Sequence, residues 1–350
     1  MENGRKRDLL TLTECGAMRG MAIIAIVLHN YIHWLTGLLR ENEFLFNQSR
    51  ALRMWDIIQY PALGLPLHII SFFGHYGVPV FVFLSGYGLT IKYERSGGEL
   101  PILQFVKRRY INLVFAMILG YLAYGLVCCV FYGSFTPDIL AVLGQLGMFN
   151  TLFVPRIPID TMPFWFFALI MHFYVLWRLL MRGRHWGIVV AIMLACWALQ
   201  QMCESESTIL YWLRRNFVGN MVPFGFGILC ARYMSSLKMW QYVVLLLISI
   251  PLLVVGSLNY EVWLWIPVAA CVFAVALAKI LPQVVNKALG WFGGISLAFL
   301  AIHPAVRTIF MHYFREEHWQ LGIALYFIAT VLAAIIINYL SNRIKKLVVK

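Results

Sequence analysis

The run from Gly16 to Leu39 is apolar and long enough to cross a bilayer, yet it contains Arg19, His29 and His33. Ionisable side chains are costly in hydrocarbon, so groups kept there are functional candidates by default. Arginine is a permanent cation matched to phosphate, and imidazole takes up and returns a proton near neutral pH. At 1.5 Å per residue, a helix over this run sets His29 about 15 Å beyond Arg19 along its axis. His29 and His33 then share one face, while Asn30 lies more nearly above the arginine. An anion anchored at Arg19 would reach His29 only through an extended arm. A plainer reading has Arg19 reaching the headgroups and the histidines hydrogen-bonded within a helix bundle.

Composition tells what kind of fold carries these side chains. Of the 350 residues, 61% are hydrophobic and 12% charged, and the mean hydropathy is +0.77. That composition implies an all-α polytopic membrane protein, whose outward surface faces lipid. The net charge of +13 does not indicate nucleic acid, because the basic residues sit in short connectors and form no clustered soluble face. The seven cysteines are scattered through apolar runs with no metal-ligand spacing or disulfide framework, so they read as small hydrophobes. The basic start and first apolar run resemble a signal peptide, but the run is too long and lacks a small-residue cleavage pattern, so a retained first helix is expected.

With about 20 residues per crossing, spans are expected near 15–37, 67–91, 110–132, 163–181, 186–203, 216–234, 239–258, 262–281, 288–311 and 320–341. These ten helices would form a single domain with short tails at 1–13 and 342–350. The segment 138–154 is interrupted by Gly144, Gly147, Asn150 and Pro155 and is expected at the outer interface. Eight of the 28 basic residues (Arg40, Arg50, Arg53, Arg156, Arg214, Arg215, Arg307 and Arg315) fall on one set of connectors, and the other twenty accompany the termini. Both termini are therefore expected in the cytoplasm of a cell-membrane protein. Two long outer connectors, Leu38 to Pro66 and Gly133 to Met162, are placed to cover a site or to anchor at the interface.

All fifteen Asp and Glu residues fall in termini, connectors or span edges, with Glu14 at the start of the first span. Ion-coupled transporters generally rely on intramembrane carboxylates, so their absence weighs against that class. The interior instead offers Arg19, His29, His33, His75, His172 and His303, a set suited to an anionic ligand and a general base. No metal is expected.

Several segments resemble integral-membrane acyltransferases of the acyltransferase 3 family. The run Phe72-Phe73-Gly74-His75-Tyr76-Gly77-Val78-Pro79-Val80-Phe81-Val82-Phe83-Leu84-Ser85-Gly86-Tyr87 is similar to the family's second helix. Met18-Arg19-Gly20-Met21-Ala22-Ile23 through His29 resembles its first helix, and Gly290-Trp291-Phe292-Gly293-Gly294-Ile295-Ser296 through Ala301-Ile302-His303-Pro304 a late one. Phe105 to Arg109 is similar to the basic start of its third helix, and Phe164-Trp165-Phe166 with Phe173-Tyr174 to its aromatic fourth span. The chain departs from the pattern in having nine residues between Arg19 and His29 where ten are common, with Asn30 at the usual position. It also has Asn112 and Phe115 where an arginine and a proline are frequent, and Ile170 or Met171 in place of a glutamate.

The resemblance implies transfer of an acyl group, often acetyl, from cytoplasmic acyl-CoA to a hydroxyl of an envelope or secreted glycan, with acyl-CoA as co-substrate and no permanently bound cofactor. It casts His29 as general base, with His33 and Asn30 as alternative catalytic residues, and Arg19 as holding CoA phosphates or orienting the site. Lys107, Arg108 and Arg109 would hold CoA phosphates or merely anchor a helix. Ser85, Tyr87, His303 and Trp165 would serve the acceptor or the oxyanion. Ser85-Gly86 also suits close helix packing, and His303 suits satisfying the backbone group freed by Pro304. Competing expectations are a membrane carrier of a lipid-linked sugar or small anion, and a transmembrane N-acetyltransferase acting on an amino sugar.

Overall fold

A computed structural model describes residues 8–152 and 164–348. The described chain is helical, with one isolated bridge between Asp8 and Ser235. The first helix, α1 (Leu12–Ile32), begins where the Thr11 hydroxyl accepts from the Glu14 amide and the Glu14 carboxylate accepts from the Thr11 amide. This reciprocal cap satisfies two donors that a helix start leaves open. The expected N-terminal tail is docked from residue 8 onward. Leu9 and Leu10 are buried, the Leu10 amide donates to the Tyr87 hydroxyl at 3.0 Å, and Asp8 pairs with Arg95 at 2.6 Å.

Next come α2 (Gln48–Gln59) in the first long connector, α3 (Leu65–Phe73), a 3₁₀ turn over Gly74–Tyr76, and α4 (Gly77–Thr90), which ends in a π-turn at Ile91–Arg95. Helix α5 (Ile102–Tyr132) starts eight residues before the expected span, so Lys107, Arg108 and Arg109 lie on the helix itself. It stops at Gly133, whose φ of 76° is the left-handed conformation glycine adopts at little cost. The ambiguous segment 138–154 contains a short helix, α6 (Ile139–Leu146); its last residues and Arg156 lie outside the described residues.

The second half comprises α7 (Trp165–Leu176) with a π-turn to Met181, α8 (Trp186–Gln201), α9 (Thr208–Arg215), α10 (Phe217–Tyr233), α11 (Met239–Gly256), α12 (Tyr260–Trp263), α13 (Ile266–Ile280), α14 (Gln283–Phe314) and α15 (Trp319–Val348). Six of the described helices are long and apolar enough to cross a membrane: α1, the α3–α4 unit, α5, α11, α14 and α15. The other four expected spans coincide with α7, α8, α10 and α13, of 12 to 17 residues. Helix α15 runs on into the basic C-terminal segment expected at 342–350, as far as Val348.

Helix α1 is central, packing most extensively on α14 and also on α3, α4 and α13. Close approach to α14 depends on small residues: a Cβ on Gly20 or Gly293 would collide with the backbone of Leu289 or Gly16. At the end where α1 begins, Glu94 of the π-turn accepts two 2.8 Å bonds from Arg232 of α10, and the same guanidinium donates to the Met181 and Arg184 carbonyls. One bidentate ion pair thus ties three connections together.

Candidate active site

His29 lies in the last turn of α1 with 2% of its surface exposed. Its Nδ1–H donates to the Ser71 carbonyl of α3 at 2.9 Å, and because a carbonyl only accepts, the lone pair belongs to Nε2. Ser71 is itself held, its hydroxyl donating to the Leu39 carbonyl at 2.6 Å. Gly74 makes this contact possible, since a Cβ there would stand 2.6 Å from the His29 Cβ and 2.9 Å from the Ala25 carbonyl. The glycine in the second-helix motif therefore lets α3 and α4 close on the imidazole.

Helical spacing stacks His33 one turn beyond His29. Its Nδ1–H donates to the His29 carbonyl at 2.8 Å, and the ring centroids are 4.7 Å apart. His75, in the 3₁₀ turn, lies 5.6 Å from His29 between centroids, and both its ring nitrogens are buried without a hydrogen-bond partner. His172 is anchored elsewhere, on the Met148 carbonyl at 2.8 Å.

The first long connector supplies what the apolar spans lack. It folds back over the end of α1 and sets Glu41 Oε2 4.0 Å from His29 Nε2. Arg50 of α2 holds the turn through the Glu41 carbonyl at 3.1 Å. Trp263 donates to the Asn42 carbonyl, and Arg214 to that of Glu43. Burial pushes the Glu41 carboxyl up, but His29, His33 and Arg50 outweigh it and hold the group below the usual carboxylate range. Glu43 behaves oppositely: burial, reinforced by neighbouring Glu41, pushes it up to about 8 against the pull of Arg215 and Arg214. Two carboxyls two residues apart are thus driven towards different protonation states, as acid–base sites require.

These groups border a cavity of about 390 Å³ walled by Asn30, His33, Glu41, Glu43, Arg215 and Arg307, with Trp34, Phe44, Phe81, Trp165 and Phe166 as its aromatic sides. His29 is not one of the wall residues and neighbours two that are, His33 and Glu41. Arg307 of α14 donates to the Asn30 carbonyl at 3.2 Å, and Asn30 Nδ2 donates back to Ile26.

The structure therefore brings His29, His33, Asn30 and Trp165 together. It does not bring Ser85 or Tyr87 to the cavity wall, contrary to expectation. Ser85 bonds back to the Phe81 carbonyl at 2.9 Å. Tyr87, on the far part of α4, holds Leu10. His303 is buried, and its Nδ1–H caps the Leu300 carbonyl at 2.8 Å. That carbonyl is the one Pro304, having no N–H, cannot serve.

Arg19 lies ten residues before His29 on the exposed face of α1, beside Gly293 of α14. Lys107 and Arg108 are exposed. Arg109 is packed among Tyr93, Phe105 and Tyr174, 4.7 Å from the last ring, and donates to the Tyr93 hydroxyl at 3.3 Å, an arrangement that anchors α5. Glu41, Glu43, Phe44, Arg215 and Arg307 were not singled out as site residues by the sequence. The available signal was the Glu41-Asn42-Glu43-Phe44 string directly after the first span.

No curated protein and no solved structure matches the chain. A family model described as an acyltransferase domain, that of acyltransferase 3, matches residues 15–339, a range that takes in nearly all of α1, the folded-back connector and α14. The chain, with its buried histidine beside a carboxylate among apolar helices, belongs to the acyltransferase 3 family of membrane acyltransferases.

Proposed function

We propose that the protein transfers an acyl group, acetyl in the simplest case, from acyl-CoA to a hydroxyl of an envelope or secreted glycan. The observation that carries this reading is the His29–Glu41 pair beside a cavity with aromatic walls. Its 4.0 Å separation leaves room for an acceptor hydroxyl that donates to His29 Nε2 at the ordinary hydrogen-bond length of about 2.8 Å, with the carboxylate alongside. The lone pair on His29 Nε2 takes the hydroxyl proton as the oxygen attacks the thioester carbon. The imidazolium so formed faces the Glu41 carboxylate, which stabilises it, while the Ser71 carbonyl holds the ring in register. Collapse of the tetrahedral intermediate expels the CoA thiolate, which takes the proton back from Nε2. His33 and Asn30 contact the acceptor from the wall, and Arg307 adds positive potential where the oxyanion develops.

The acyl-CoA phosphates would be held at the opposite end of α1 by Arg19, Lys107 and Arg108, with the pantetheine arm spanning the distance to His29. Aromatic sides such as Trp165, Trp34 and Phe44 suit the apolar faces of a sugar ring, and Glu43 and Arg215 its hydroxyls. Membranes containing the protein, incubated with labelled acetyl-CoA and envelope material, are expected to yield a glycan whose label is released by mild alkali, as an ester is. An alkali-stable amide would reassign the acceptor to an amino sugar. Absence of transfer, or unchanged transfer by His29→Ala, would overturn the proposal.

A further inference from the structure

We infer that His29, His33 and Glu41 also form a binding site for a divalent transition-metal ion of the zinc class, and that the bound ion competes with acyl transfer. One ligand atom from each residue lies within 4.8 Å of the other two. Two histidines four apart on one helical face, with a carboxylate from another segment, make a donor set that zinc takes in open sites.

The hydrogen bonds around the trio sharpen the case. His29 Nδ1 is committed to the Ser71 carbonyl and His33 Nδ1 to the His29 carbonyl. Both Nδ1 atoms must carry hydrogen, so both Nε2 atoms present lone pairs. Glu41 Oε2 is buried and has no hydrogen-bond partner. Three electron-rich atoms therefore converge with no donor among them. A single proton answers only part of this, converting one imidazole to a cation and leaving the other lone pair in place. One divalent ion satisfies all three. Backbone carbonyls gripping the remote ring nitrogens are also the outer support that orients histidine ligands in metal sites.

Distances are compatible with modest adjustment. Ligand bonds of about 2.0–2.1 Å put neighbouring donors roughly 3.3 Å apart in a tetrahedral site. The 4.0 Å gap between His29 and Glu41 closes by rotation of a side chain on a connector. His33 and Glu41 line the cavity, which leaves a fourth position open towards it. Two nitrogen donors disfavour calcium and magnesium, which select oxygen. Arg215 and Arg307 in the same wall oppose a further positive charge, and the Glu41 carboxylate offsets part of that opposition.

Competition rests on the proposed base role, because the lone pair that binds the metal is the one that accepts the acceptor's proton. The test uses detergent-purified full-length protein, stripped with chelator and titrated with Co²⁺ and then Zn²⁺. The expected result is one Co²⁺ per chain with the intense visible bands of a four-coordinate site, displaced by Zn²⁺. Affinity should fall at least tenfold in both His33→Ala and Glu41→Gln, with thermal unfolding used to verify that each variant is folded. Should His33→Ala not fold, Glu41→Gln, which keeps the side-chain shape, decides. Transfer by the wild type should fall as Zn²⁺ is added and return with chelator.

Absence of Co²⁺ binding, binding unaltered in Glu41→Gln, or transfer that requires added metal would each overturn the inference. Acyl transfer without metal binding would leave the base reading intact. Metal binding by a protein that never transfers acyl groups would sink the function and keep the site.

Discussion

His29 Nε2 and Glu41 Oε2 face each other at 4.0 Å, although one belongs to an apolar helix and the other to a polar connector. His29→Ala is expected to lower kcat by about 10²–10⁴-fold, the usual contribution of a general base. Retention of acyl-CoA by the purified variant should be unchanged. His33→Ala and Asn30→Ala should each cost about fivefold, as residues of the wall whose lost hydrogen bond is worth about 1 kcal/mol. Steady-state kinetics on the three variants separates the roles, and the reverse order would move the base to His33.

Glu43 makes stability depend on pH. Its folded carboxyl keeps its proton up to about 8, whereas an unfolded glutamate loses it at about 4.3. Between those values the native state binds more protons, so the free energy of unfolding from this group falls as pH rises through the window. Thermal unfolding of the detergent-solubilised protein should show the loss, and Glu43→Gln should flatten it. An identical slope in the variant would refute the assignment.

Gly74→Ala tests the closure of α3 on α1. The added methyl meets the His29 Cβ and the Ala25 carbonyl, and overpacking of this kind costs about 1–3 kcal/mol. Since the displaced contact aligns the imidazole, transfer should fall further than stability alone explains. A fully active, equally stable variant would contradict the packing described.

Tyr87→Phe should leave transfer within about twofold, because the hydroxyl serves the buried Leu10 amide and does not reach the cavity. Removing that acceptor strands a donor and is expected to cost about 1–3 kcal/mol in stability. A large kinetic defect without destabilisation would restore Tyr87 to the acceptor site.

Arg19→Ala and the Lys107→Ala/Arg108→Ala pair should raise the KM for acyl-CoA about tenfold, one charged hydrogen bond's worth, with weaker effects on kcat. Arg109→Ala should act differently, lowering stability through its lost aromatic contacts. Equal behaviour of all four basic residues would argue against a phosphate role for the first three.

How far the sequence reached differs by element. Long apolar stretches declare helices locally, so every expected span falls on helical backbone. Helix ends were less legible, because α5, α14 and α15 run on into polar residues beyond the apolar stretch. The pairing of His29 with His33 was legible, since helical spacing alone puts both on one face. The capping role of His303 could be read because proline frees a carbonyl at a known offset. Glu41 and Ser71 could not be found this way, lying 12 and 42 residues from His29 with no period linking them. Their approach depends on Gly74, on Arg50 holding the connector, and on Trp263, more than two hundred residues away, bonding Asn42. The membrane class, the family and the histidine pair are written locally in the chain, because hydropathy and helical period act over neighbouring residues. Which carboxylate faces the imidazole, and that Tyr87 stands away from it, depends on the folded chain, because those distances are set by contacts that leave no local pattern.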